Sequence, residues 1–536
     1  MTLVTRRRLA ATLAGALTAT LAVTGSVAVT VTAATGPARA ATAPGVGAGY
    51  WHTSGNQILD SNGNPVRIAG INWYGFETPD EIAHGLWSQD YHTIINDIAA
   101  LGYNTIRIPF SNQMVEDPIV PQNLSFSSST GQPINADLKG LTALADLQKI
   151  VTAAGQAGLK VILDDHRSEA GESAEQDGLW YTSTYTSQDW VNDWVTLAKM
   201  FAGNPTVIGF DLRNEPHTPA GDTYAEGATW GTGDPATDVR LAYEQAGNAI
   251  LAVDPGALIF CEGISEFPDS AASGGFDTTW WGGDLQGVAQ FPVVLSSPGH
   301  VVYSAHDYGP SLFQQAWFNS TTTPASLDAV WNKYWGYIYA QGTAPVWVGE
   351  FGTDNTASDI ESSAAGSQGQ WFQALVSYLG GNPGMGWTYW ALNGEDSYDL
   401  LDNNYDPTPV SSLKQSLLAG IQFPLPGAGN GTPPPSSPPP AQLSCAYSVD
   451  NSWSGGFQAQ VVISNPGTTA STSWTASWTF PGGQQLASDW SGVFTQSGAN
   501  VTVTSEPYNG SIAPGGSVTI GFTASGTAPS SLTVTC

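Results

Sequence analysis

Val207-Ile208-Gly209-Phe210-Asp211-Leu212-Arg213-Asn214-Glu215-Pro216 is a short apolar run that ends in a polar cluster. A bounded run of this kind predicts a strand buried on both faces, as in a parallel sheet. Seven further runs share the form: Ile68–Phe76, Thr105–Phe110, Lys160–His166, Leu258–Gly263, Val301–Tyr308, Val346–Gly352 and Gly386–Asn393. Between most of them lie amphipathic stretches of helical period, such as Leu141–Gly158, Asp189–Phe201, Asp238–Val253 and Gln370–Gly380. Strands alternating with helices predict a parallel sheet covered by helices, and eight such units fit an α/β fold of the (β/α)8 TIM barrel kind. A doubly wound open sheet is the alternative. It is disfavoured because no Gly-rich phosphate loop follows the first run.

Most of these runs finish on chemistry-bearing residues: Asn72-Trp73, Arg107, Asp164-Asp165-His166, Asn214-Glu215, Glu262, His306-Asp307-Tyr308, Glu350 and Trp390. C-terminal strand ends of a barrel converge on one mouth. Residues far apart in the chain are therefore expected in one cleft.

The flanking segments differ in composition. Arg6-Arg7-Arg8, an apolar stretch from Leu9 to about Val31 and the small-x-small site Ala38-Arg39-Ala40 read as a cleaved export signal over residues 1–40. Pro433-Pro434-Pro435-Ser436-Ser437-Pro438-Pro439-Pro440 lies in a Pro/Gly/Ser linker over 425–441, since proline runs favour an extended spacer. The barrel is thus expected over 41–424. Residues 442–536 alternate Val, Ile and Trp with Ser and Thr between turn signals, which predicts an all-β sandwich. Cys445 and Cys536 bracket that stretch, and export makes a disulfide between them the expected state. Cys261, inside an apolar run, reads as a buried thiol.

The chain has 536 residues and a formal net charge of −30. Such acidity repels nucleic acid and anionic membranes, whereas a neutral polysaccharide carries no penalty. There are twenty Trp, more than a core needs, and flat apolar rings stack on sugar faces. No HExxH, Walker loop or CxxC is present, so no metal or cofactor is expected. Asp402-Asn403-Asn404-Tyr405-Asp406 matches no calcium loop and reads as a solvated turn.

Two carboxylate motifs stand out: Asn214-Glu215-Pro216 and Gly349-Glu350-Phe351-Gly352. Hydrolysis of a glycosidic bond needs one carboxylic acid to protonate the leaving oxygen. A second carboxylate must stand across the anomeric carbon, about 5–5.5 Å away if configuration is retained. The two must differ in acidity. Burial and the neighbouring carboxylate raise the acid, and cations or hydrogen bonds keep the nucleophile ionised. Arg107 and Tyr308 are the candidates to hold the ionised one. A single Glu at a strand end is ordinarily a cap or an ion-pair partner. Two of them, accompanied by Arg107, His166, His306 and Trp390, favour catalysis.

From Tyr50 to Phe423 the chain resembles glycoside hydrolase family 5, closest to its bacterial endo-β-1,4-glucanases. The resemblance rests on Ile68-Ala69-Gly70-Ile71-Asn72-Trp73, Tyr103-Asn104-Thr105-Ile106-Arg107-Ile108-Pro109, Ile162-Leu163-Asp164-Asp165-His166-Arg167, Gly209–His217, Tyr303–Tyr308, Trp347–Gly352 and Trp387-Thr388-Tyr389-Trp390. It implies Glu215 as acid/base and Glu350 as nucleophile. Asn214 would bond the sugar 2-hydroxyl, Arg107, His166, His306 and Tyr308 would line the subsite of the cleaved sugar, and Trp390 would form its floor. Trp73 and Trp281 would stack neighbouring sugars. Asp165 departs from the family, where Arg is expected, and is expected to add negative charge near His166. His217 reads as structural.

From Gln442 to Cys536 the chain resembles a family 2 carbohydrate-binding module. The resemblance rests on Asn451-Ser452-Trp453-Ser454-Gly455-Gly456-Phe457, Ser488-Asp489-Trp490-Ser491 and Pro507-Tyr508-Asn509-Gly510. It implies a flat strip of Trp453, Trp490 and Tyr508 against cellulose. Trp474 and Trp478 follow a strand period and are expected in the core. The resulting expectation is a secreted, monomeric, retaining endo-β-1,4-glucanase with cellulose as partner. A retaining β-1,4-mannanase or other β-glucanase on the same scaffold is the nearest alternative, and a non-catalytic polysaccharide binder a more distant one.

Overall fold

The computed structural model describes residues 46–423, 443–466, 471, 474–505, 509–510, 512 and 516–536. The expected export signal over 1–40, the linker over 425–441 and Tyr508 lie outside the described residues. The chain divides into two compact units, 1–429 and 430–536.

In the first unit eight parallel strands close into a barrel: β1 (Ala69–Asn72), β2 (Thr105–Ser111), β3 (Lys160–Arg167), β4 (Val207–Asp211), β5 (Leu258–Glu262), β6 (Val301–His306), β7 (Val346–Glu350) and β8 (Gly386–Tyr389). Consecutive strands pair, and β8 pairs back to β1 with Tyr389 opposite Ile71. Nearly every strand residue is buried, because side chains of one face fill the barrel and those of the other meet helices. All eight runs read from the sequence are strands. Several end earlier than expected: β4 stops at Asp211 and β8 at Tyr389. The residues beyond leave the sheet to build the mouth.

The covering helices include Ala143–Gln156, Ser187–Phe201, Val239–Leu251 and Gln368–Gly381, matching the four amphipathic stretches. Thr186 and Asp189 start the second of these with a reciprocal capping box. Among the described residues no helix is long and apolar enough to cross a membrane.

Along the barrel axis the filling changes character. One end is apolar, packed by Trp51, Ile162, Ile208, Leu258, Phe260, Val302 and Trp347. Above Trp347 sits an ionic layer, with the Arg107 guanidinium carbon 5.8 Å from the indole centroid. This layer faces the C-terminal strand ends. At β6–β7 the pairing runs Ala305 opposite Val348 and then His306 opposite Glu350, so Gly349 is the extra residue of a bulge. A Cβ on Gly349 would stand 3.0 Å from His306 Nε2, so glycine lets β7 approach that ring.

The second unit is a sandwich of two antiparallel sheets. One has the order β9 (Ser444–Trp453), β10 (Gly456–Ser464), β15 (Ser517–Ser525), β12 (Leu486–Trp490); the other has β11 (Thr475–Thr479), β14 (Asn500–Thr504), β13 (Val493–Ser497). Phe457, Trp474, Trp478, Phe480 and Phe522 fill the core, as the strand alternation implied for the two Trp. Cys445 is disulfide-bonded to Cys536, and Cys261 of the barrel is a buried free thiol. Trp453 and Trp490 are 51% and 42% exposed on the four-stranded sheet. Each ring lies against a glycine. A Cβ on Gly456 would come within 2.7 Å of the Trp453 indole, and one on Gly521 would collide with the Trp490 ring. Bare backbone beneath each indole lets it lie flat on the sheet.

Candidate active site

Arg107, on β2, is fully buried and organises the mouth. Its Nη1 donates to Glu350 Oε1 at 2.6 Å and to Asn72 Oδ1 at 3.1 Å, its Nε to Asp211 Oδ2 at 2.9 Å, and its Nη2 to Asn214 Oδ1 at 3.0 Å. Asp164 Oδ1 lies 3.0 Å and Glu262 Oε1 3.4 Å from Nη2. Four carboxylates around one guanidinium hold its pKa well above the ordinary arginine value, despite burial.

Glu350 has each oxygen held by a different donor. Arg107 takes Oε1, and the Tyr308 hydroxyl donates to Oε2 at 2.7 Å. Burial alone would raise this carboxyl. The His306, Arg107 and His166 cations and the Tyr308 hydroxyl outweigh it, and the pKa falls below the usual Glu value. Glu215 is the opposite case. Burial raises it, and the His306 cation only partly offsets this. Nδ1 of His306 stands 3.0 Å from Glu215 Oε1 and 3.6 Å from Glu350 Oε2. Although fully buried, His306 is driven to the charged form by Glu262 and Glu350. One oxygen of each Glu and a nitrogen of His306 all lie within 4.8 Å of one another. The two carboxylates thus have opposite shifts, and their facing oxygens lie closer than the about 6.5–9.5 Å of an inverting pair.

A metal would need such a cluster, and the described residues contain two: Glu215–His306–Glu350 and Asp164–Asp211–Glu262. In both, a cationic side chain already faces the carboxylates, His306 in the first and Arg107 in the second.

Glu215 reaches the mouth from a short segment after β4. Asn214 N donates to Asp165 O at 2.9 Å, while Trp190 and Trp194 of the adjacent helix both donate to Leu212 O at 3.1 Å. Asn214 Oδ1 accepts from Arg107 Nη2, and its buried Nδ2 has no partner among the described residues.

Trp390 follows directly on β8, and its peptide bond to Ala391 is cis. The indole is half-buried, donates to Asp396 Oδ2 at 3.0 Å, and lies within 15° of the planes of Tyr74 and His166 at centroid distances of 5.3 and 5.5 Å. It lines a cavity of about 140 Å3 with Tyr74, His84, His166, Glu395 and Asp396. A second cavity of about 480 Å3 is lined by Glu215, Trp280, Trp281, Tyr308 and Phe313. Ser173 and Ala174 border both, so the two form one groove across the mouth. Trp281 is half-buried and stacks on His217 at 3.6 Å and 2°.

The fold thus brings Arg107, Asn214, Glu215, His306, Tyr308 and Glu350 into one bonded cluster, and Glu215 and Tyr308 also line the groove together with His166, Trp281 and Trp390. Two expectations are corrected. Trp73 is fully buried, and its Nε1 donates to His84 O at 2.9 Å, so it packs in the core and cannot stack a sugar. Asp165 does not add charge near His166. Strand alternation turns it to the outer face, where Arg213 Nη1 binds it at 2.9 Å, and Asp164 Oδ2 meets His166 Nδ1 at 2.7 Å. Sequence reasoning assigned no role to Asp164, Asp211 or Glu262, although their strand-end positions were a usable signal. It missed Tyr74 and His84 altogether, since they sit in the loop after β1 outside the motifs.

The family model described as cellulase (glycosyl hydrolase family 5) matches residues 59–396, and one described as cellulose binding domain matches 443–536. An endoglucanase of Paenibacillus polymyxa is 43% identical over 380 residues, covering 70% of this chain and 88% of that one. A major extracellular endoglucanase of Xanthomonas campestris pv. campestris is 32% identical over 504 residues, covering 90% and 96%. Among solved structures, an endocellulase from Pyrococcus horikoshii in complex with cellotetraose is 34% identical with a TM-score of 0.62, covering 70% of this chain and 99% of that one.

Proposed function

The chain belongs to glycosyl hydrolase family 5 and carries a cellulose-binding domain, and on that footing we propose that its barrel cleaves internal β-1,4 links of cellulose with retention of configuration. The observation that carries this reading is the Glu215–Glu350 pair, with oxygens within 4.8 Å and opposite shifts in acidity.

Glu350, kept ionised by Arg107 and Tyr308, attacks the anomeric carbon from below the ring. The bond to the leaving sugar oxygen breaks, and the Glu215 proton moves to that oxygen. A glycosyl ester to Glu350 remains. Glu215, now a carboxylate, takes a proton from water as that water attacks the anomeric carbon and Glu350 departs. Asn214 Nδ2 supplies a free donor for the 2-hydroxyl. His166 and Trp390 flank the sugar being cleaved, and Trp281 stacks a sugar across the bond.

In the second unit, Trp453, Trp490 and Tyr508 would lie on cellulose. The domains run 41–424 and 442–536 about the proline linker, after an export signal of 1–40, and the enzyme acts outside the cell as a monomer. The positive start and small-x-small site support export, as does likeness to a relative named as extracellular.

A substrate panel tests the whole reading. Reducing ends should appear from carboxymethylcellulose and not from mannan, with the β-anomer released first by NMR. Release of the α-anomer, or activity on mannan alone, refutes it.

A further inference from the structure

Glu262 ends β5, is fully buried, and takes no part in the chemistry described above. Its carboxylate meets the main chain of Glu215 directly and reaches the Glu215 head group through His306. Oε2 accepts from the Glu215 main-chain N–H at 2.8 Å. Oε1 stands 3.1 Å from His306 Nε2, and the other ring nitrogen of that histidine stands 3.0 Å from Glu215 Oε1. Glu215 has φ +50°, the left-handed region that a residue of this kind rarely adopts. A strained conformation persists only where its surroundings over-determine it, and the bond to Glu262 is such a restraint.

The plainer account, that Glu262 only balances Arg107, fits the distances less well. Arg107 is the farthest of its three partners, at 3.4 Å. The segment opposite is also shaped around this carboxylate. Gly282, at φ +68°, would drive an added Cβ into Glu262 Oε2 and to 3.3 Å from Glu215 Cα.

We propose that Glu262 is a positioning residue for the proton donor, pinning the main chain of Glu215 directly and its head group through His306. This rests on Glu215 being the acid/base. Glu262 would touch neither substrate nor water. It fixes where the donated proton stands.

The test compares kcat/KM on two substrates. Cellotetraose has a sugar leaving group that must be protonated. 2,4-Dinitrophenyl β-cellobioside has a leaving group that departs unaided, and its kcat/KM reports only the first half-reaction. Glu262→Ala removes both contacts; Glu262→Gln keeps an oxygen for the Glu215 N–H but not the charge facing His306. Glu262→Ala should lose about 100-fold on cellotetraose and Glu262→Gln about 10-fold, both staying within about 3-fold of wild type on the aryl substrate. The loss should fall in kcat, with KM held. If Glu262→Ala fails to fold, Glu262→Gln decides by the same ratio. Equal loss on both substrates in a folded variant, or no loss on either, overturns the proposal. Glu215→Ala runs alongside. If it shows no leaving-group dependence, the acid assignment beneath the proposal has failed instead.

Discussion

The Tyr308 hydroxyl donates to Glu350 Oε2 at 2.7 Å, leaving Oε1 to Arg107, so the two oxygens of this carboxylate are held by a neutral donor and a cation. That bond helps keep Glu350 below the ordinary Glu pKa. Removing it in Tyr308→Phe should lower kcat about 10- to 100-fold, the range expected for a hydrogen bond to a charged group. Activity needs Glu350 ionised. Raising its pKa therefore moves the acidic limb of the kcat/KM profile toward neutrality. An unmoved acidic limb would disprove the assignment.

Glu350→Gln should stop turnover, by about 10⁴-fold or more on carboxymethylcellulose. Retention of the protein by crystalline cellulose in a pull-down should be unchanged, because no residue of the sandwich is altered. Wild-type turnover in this variant contradicts the nucleophile assignment.

The wild-type profile should be bell-shaped. Glu350 is depressed and sets the acidic limb; Glu215 is raised and sets the basic limb, where it loses the proton it must donate. The basic limb of kcat/KM should be present on cellotetraose and absent on 2,4-dinitrophenyl β-cellobioside, whose leaving group needs no proton donor. Its persistence on the aryl substrate would mean that another group sets it.

Lys414 Nζ donates to three carbonyls, Thr353 O at 3.0 Å, Tyr398 O at 3.1 Å and Asp399 O at 2.8 Å. These belong to the segments that follow Glu350 at the end of β7 and Trp390 just beyond β8. Lys414→Met should strip the donor from all three and destabilise the barrel by about 2–3 kcal/mol, read from denaturant unfolding followed by Trp fluorescence.

Trp453→Ala and Trp490→Ala should each weaken binding to crystalline cellulose about 3- to 10-fold in a depletion isotherm. Rates on soluble carboxymethylcellulose should stay at wild type. Truncation after Pro424 should behave likewise, losing insoluble substrate only. Equal loss on both substrates would break the proposed division of labour.

The sequence alone determined the barrel, because eight buried parallel strands need near-continuous apolar runs and covering helices need a 3.6-residue period, both visible without coordinates. It also singled out Glu215 and Glu350, since strand-end polar residues have one place to go. Tertiary structure decided what depends on the phase of a strand and the path of a loop. Alternation sends Asp164 inward and Asp165 to Arg213, and neither residue type signals which. Trp73 and Trp390 are the same residue after strands of the same kind. One is fully buried against His84 O and the other lines the groove, because the chain turns differently after β1 and β8. The bond from Glu215 N to Glu262 could not be read from sequence at all, for it requires a left-handed backbone at Glu215 and strands β4 and β5 side by side.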